Sequence, residues 1–259
     1  MPWAIGVLLV LALGVFLWIT PPGLLGKADM IGYAVCHQID SHSFAVGGTY
    51  LPLCARCTGT FLGALVGLVG QAVVLRRRRA ASFPPGHILA VLIGFTILWA
   101  ADGVNSYLAL LGGFHAYEPF NELRLITGAL NGLTMSALTY VVFNVSLWQH
   151  PADEPGIRDL RDLAVLLLMD AALVGVVLWR PGLSLYPLVV LSAGAVVTLL
   201  TSVNSVIGVI LIGRENSAET WREAVLPIAL GLLLCLVQIG LIDLLRYRLT
   251  GTLSGIPLQ

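Results

Sequence analysis

"CARCTGTFLGALVGLVGQAVVLRRRR", residues 54 to 79, contains the fold in outline. From Thr58 to Leu75 it carries no charged residue. At ~1.5 Å per residue that run nearly crosses the ~30 Å hydrocarbon layer of a bilayer as a helix. It stops on four consecutive arginines, Arg76 to Arg79, which the positive-inside rule assigns to the cytoplasm. The opposite end then faces out and bears a thiol pair, Cys54-Ala55-Arg56-Cys57. Between the ends, Gly59, Gly63 and Gly67 recur every four residues, a stripe on which another helix backbone can pack closely.

The rest of the chain repeats the pattern of this span. Of 259 residues, 58% are hydrophobic and 11% charged, against about 25% charged in an average soluble chain. Mean hydropathy is +0.91. Apolar runs fall at 3 to 20, 57 to 75, 87 to 111, 122 to 148, 163 to 179, 184 to 212 and 224 to 245. None shows the alternation of a membrane barrel, and helices satisfy their own backbone in lipid. The reading is an all-α polytopic membrane bundle of seven helices. The first run lacks a basic leader and a small-residue cleavage site, so it reads as a retained span.

Counting from the arginine run puts the N-terminus inside and residues 21 to 56 outside. The loops at 149 to 162 and 213 to 223, with Arg158, Arg161, Arg214 and Arg222, fall inside; Lys27, Arg56, Arg124, Arg180, Arg246 and Arg248 fall outside. Trp3, Trp18, Trp148, Trp179 and Trp221 mark span ends, as an interfacial belt requires. Formal net charge is zero, which leaves no overall field for nucleic acid, and the arginine run reads as an anchor for anionic headgroups. The expected setting is the cytoplasmic membrane of a prokaryote, with the bilayer as first partner and a membrane protein or second copy as another. Residues 1–150 form a four-span core with the chemical motifs; residues 151–259 add three plainer spans.

Residues 36 to 57 gather three of the four cysteines and two of the five histidines. Cys36, His37, Cys54 and Cys57 make a Cys/His set of the kind that binds zinc or another soft transition metal. A helix N-terminus and Arg56 favour thiolate, which suits metal binding and disulfide exchange alike. Neighbouring Cys36 and His37 are expected to point apart, leaving one as an accessory group, with His42 in reserve. The alternatives are thiol redox and a structural role.

A second constellation lies on the third and fourth spans. Asp102 and Asn105 sit one turn apart, and Asn121, Arg124, Thr127, Gly128 and Asn131 share a face of the next helix. Helical rise puts Asp102 ~12 Å below the outer end of its span. Arg124 starts the next span at that end, and the expectation is that the two pair. An ionised group at this depth is costly and marks a functional site by default. Depth alone places Gln38, Arg56, Asp102, Asn105, Asn121 and Arg124 beside the cysteines in one outer pocket.

The spaced motifs C36-H37-Q38, L51-P52-L53-C54-A55-R56-C57-T58-G59, D102-G103 and N121-E122-L123-R124-L125-I126-T127-G128 resemble an uncharacterised family of bacterial and archaeal membrane proteins of unknown function. The likeness covers about residues 30 to 135. It implies membrane location and a shared site, and it supplies no reaction. His42 stands where the family usually has Arg, and Asn105 where it often has Gln or Thr, so neither takes a role from the resemblance.

Two function classes follow. One is a membrane metalloprotein or thiol oxidoreductase built on the cysteines. The other is a noncatalytic subunit of a larger membrane complex, with a transporter using Asp102 and Arg124 held in reserve. Enzyme status is left open by the sequence.

Overall fold

The computed structural model describes residues 2–179, 182–253 and 255. Arg180, counted above on the outer side, lies outside the described residues. The helices are α1 (Pro2–Ile19), α2 (Gly23–Val35), α3 (Ala55–Val69), α4 (Gly86–Leu110), α5 (Asn121–Leu147), α6 (Leu160–Trp179), α7 (Leu185–Leu211) and α8 (Trp221–Thr250). Helix α3 runs on through a π turn at Gly70–Val74.

The protein is a multi-pass helical membrane protein. Among the described residues six helices, α3 to α8, are each long and apolar enough to cross a bilayer, and α1 with α2 makes a seventh if that bent pair counts as one span. The first apolar run, 3 to 20, forms α1, and the chain bends directly after it: α1 and α2 meet at 109°. Pro21 and Pro22 explain the break, because neither offers an N–H and proline disfavours helix in the residue before it. Thr20 Oγ1 and Lys27 Nζ donate to the carbonyls of Phe16 and Leu17 that α1 leaves open.

A short hairpin also interrupts the helical chain. Strands β1 (Ser43–Val46) and β2 (Thr49–Cys54) pair antiparallel, with Val46 opposite Thr49. The turn needs positive φ at both central positions, and Gly47 (φ 58°) and Gly48 (φ 82°) supply it. The hairpin delivers Cys54 directly to the start of α3.

Helices α3 and α5 form the centre of the bundle. A Cβ on Gly59 would lie 2.1 Å from the Leu125 carbonyl oxygen, one on Gly63 2.2 Å from that of Ala129, and one on Gly67 1.8 Å from Ser136 Oγ. From the other side, Gly128 and Gly132 sit equally tightly on the carbonyls of Arg56 and Thr60. The two small-residue stripes interlock, which fixes the rotation of α3 about its axis and so the direction of Arg56.

At the arginine end, β3 (Ala80–Ser82) pairs parallel with β4 (Ala152–Pro155). Arg77 is buried and bonds Glu154 at 2.8 Å and Asp162 at 3.5 Å. Arg79 donates to the Glu219 carbonyl and stacks over Trp148. The reading of the run as a lipid anchor therefore needs correction. Two of its four arginines tie the loops at 149 to 162 and 213 to 223 to this end of the bundle.

Candidate metal centre

Three features of the backbone assemble the cysteines. First, Gly32 lets β2 lie on α2, since a Cβ there would fall 2.0 Å from the Pro52 carbonyl oxygen. Second, Gln38 adopts φ 51° and turns the chain sharply after α2; its Nε2 donates to the carbonyls of Asp29 and Pro52, each at 2.9 Å. Third, Arg246 of α8 reaches across and donates to the carbonyls of Tyr33, Cys36 and His37, the last at 3.2 Å. Its guanidinium also lies 4.0 Å over the Tyr33 ring. The last helix thus holds the residue 36–37 loop against β2 and α3.

Within this frame one ligating atom each from Cys36, His37 and Cys54 lies within 4.8 Å of the other two. Cys57, in the first turn of α3, falls outside that set. Cys36 and Cys54 are buried and Cys57 half-buried, and all four cysteines of the chain are free thiols. The backbone N–H groups of Cys54 and Gln38 point at Cys36 Sγ, at 3.2 Å and 3.4 Å. Donation from the Cys54 and Cys57 thiols and from these amides outweighs burial and pulls the Cys36 thiol far below the ordinary range.

The expectation that Cys36 and His37 point apart, with one of them accessory, gives way to a geometry in which both face Cys54. His37 Nδ1 accepts the Ile39 N–H at 3.0 Å, so binding a cation through this ring means giving up that bond. Burial lowers the His37 pKa. The His42 ring meets His37 edge-on at 5.4 Å, and burial next to Arg124 brings its pKa down to about 4.

The polar set continues from His42 without a gap. Arg124 reaches His42 Nε2 at 3.4 Å, Asn121 Oδ1 at 2.8 Å and Ser106 Oγ at 3.5 Å. Ser106 also accepts from Arg56 at 2.9 Å, and Arg56 bonds Asp102 at 2.5 Å. The expected pairing of Asp102 with Arg124 is therefore corrected: the ionic partner of Asp102 is Arg56. Helical rise gave the depth of these groups but not their azimuth. The close fit of α3 on α5 turns Arg56, rather than Arg124, onto the carboxylate.

Tyr117 donates to the other oxygen of Asp102 at 2.7 Å, and burial plus that bond push its phenol up to about 12. Thr127 completes the shell at 3.4 Å. Asn105 serves the loop instead. Its amide donates to the Tyr117 carbonyl and its oxygen accepts from Ala116 N–H, which positions Tyr117. Asn121 likewise donates to the Ser41 carbonyl and tethers the His42 turn to α5.

Three contributors escaped the sequence reading: Arg246, Tyr117 and Ser106. Arg246 stood out only as a charge on the outer side, at the end of an apolar span. A serine and a loop tyrosine carry no signal until α4 and α5 are placed side by side.

This is an integral membrane protein whose α2–hairpin–α3 junction carries a Cys/His cluster joined to a buried arginine–aspartate network. Residues 36–138 match the family described as "Predicted membrane protein (DUF2085)", as the motif resemblance implies. An uncharacterised protein of Methanocaldococcus jannaschii is 33% identical over 101 residues, 39% of this chain and 58% of its own. An uncharacterised protein of Methanothermobacter thermautotrophicus is 28% identical over 113 residues, 44% of this chain and 91% of its own. The match thus spans little more than half of the Methanocaldococcus protein. No solved structure matches the chain.

Proposed function

We propose that this protein holds a soft transition metal, zinc foremost, at Cys36, Cys54 and Cys57 with His37 as the fourth ligand. The site would lie on the outer face of a prokaryotic cytoplasmic membrane. One observation carries the reading: two buried thiols and an imidazole, from Cys36, Cys54 and His37, converge within 4.8 Å of one another, and Cys57 follows one helical turn after Cys54 as the second thiol of the CxxC pair. Charge supports it. Three thiolates around a divalent cation bear a net negative charge, and Arg56, Arg124 and Arg246 all act on His37 from nearby.

A ligand set of this kind is closed, as in structural zinc sites. Such a metal would clamp α2, the hairpin and α3 together beside the Arg56–Asp102 pair. The other live reading is thiol exchange, favoured by the stabilised Cys36 thiolate with the Cys54 thiol within 4.8 Å. Metal analysis and thiol counting on the purified protein separate the two. One metal per chain that is lost in Cys36→Ser and Cys54→Ser supports the metal centre. A disulfide among these three cysteines with no metal supports exchange and overturns it.

A further inference from the structure

A second polar anomaly lies away from the cysteines, at the middle of α6. Asp170 is the eleventh of the 20 residues of Leu160–Trp179, which puts it about 15 Å from either end, near the bilayer midplane. It is 4% exposed, and its Oδ1 has no hydrogen-bond partner among the described residues. On the protein side it faces a crevice against Gly59, Leu62 and Leu125 that is too small for a water molecule. No donor can reach it from there. On the other side it opens into a groove of about 410 Å³ between α5 and α6, walled by Ile126, Leu130, Leu167, Val174 and Gly175. Ile126, Ala171 and Gly175 at the groove are exposed, so its mouth faces lipid.

A partnerless carboxyl in hydrocarbon is costly, and the missing donor can come only through this mouth. We propose that the α5–α6 groove binds a neutral, membrane-dissolved lipophile of the quinol class, which presents an O–H donor to Asp170. Depth selects neutrality, because a charged head would be drawn to the interface. Size fits a ring or a branched-chain segment, since ligand pockets begin at ~300 Å³. The site is separate from the cysteine cluster and stands whether or not that cluster binds metal.

The test uses the intact protein in lipid vesicles and N,N′-dicyclohexylcarbodiimide, a lipophilic reagent whose C=N bond adds a carboxyl O–H to leave a stable acylurea. Labelling is read by mass on the peptide bearing Asp170, with decyl-ubiquinol as competitor and its dimethyl ether as the matched body without O–H groups. The expected result is labelling at Asp170 that slows about tenfold with the quinol at about ten times its Kd, and that the ether leaves unchanged. Gly175→Leu fills the groove from a position where an added Cβ meets nothing within 4 Å. The fold should survive that change and both labelling and protection should be lost. Absent labelling of Asp170, labelling the quinol does not slow, or equal protection by the ether would each overturn the proposal.

Discussion

The arginine inside the CxxC motif does work that the two cysteines do not reveal. Arg56 is carried inward by the first turn of α3, and its guanidinium meets an Asp102 that is only 2% exposed. Removing one partner of such a buried pair strands a charge and costs ~3–5 kcal/mol, whereas replacing both by apolar groups is often near neutral. Asp102→Asn and Arg56→Met should therefore each lower the melting temperature in detergent, and the double variant should melt well above the sum of their effects. Run against Arg124→Met instead, the same cycle should give the smaller coupling, because the Arg124 side chain connects to Asp102 by way of Ser106 and Arg56. Equal or larger coupling to Arg124 would contradict the geometry.

Packing at the level of elements decides where these residues point. The stripe Gly59, Gly63, Gly67 was legible in the sequence because its spacing is that of one helix face. Its partner stripe on α5 was visible only as Gly128 and Gly132 among polar residues. Gly63→Ala would drive a methyl into the Ala129 backbone at 2.2 Å and should cost about 1–3 kcal/mol of stability; Gly94→Ala on lipid-facing α4 meets nothing within 4 Å and should be tolerated. Helix α2 and the hairpin were not foreseen. They are short, only partly apolar, and held by contacts such as Gly32 on Pro52 that no periodicity announces. Arg246 was missed for a related reason, as its partners lie 209 to 213 residues away in sequence. On the zinc centre proposed above, Arg246→Ala should weaken zinc binding roughly 10- to 100-fold, the effect that loss of an outer support has at known metal sites. Chelator competition measures it, and an unchanged affinity would remove α8 from the site.

Across the whole molecule the two ends are chemically distinct. One end binds the arginine run, β3, β4 and the 213 to 223 loop into a lattice of ion pairs and backbone contacts; the other carries the Cys/His cluster and the Asp102 network. The composition and the run Arg76–Arg79 made the spans and this polarity readable from the start, since both depend on hydrophobicity and charge alone. The orientation proposed here predicts that Phe114→Cys, at a position 88% exposed, reacts with a membrane-impermeant maleimide on intact cells. Phe83→Cys should react only after permeabilisation, with the wild-type thiols as background. The reverse pattern would turn the protein over. The most direct test of the central claim is X-ray absorption on the purified, zinc-loaded protein. A metal centre at Cys36, Cys54, Cys57 and His37 predicts a first shell dominated by sulfur at ~2.3 Å with a nitrogen at ~2.0 Å. A shell of oxygen and nitrogen alone, or a protein that retains no zinc while its thiols are reduced, would contradict it.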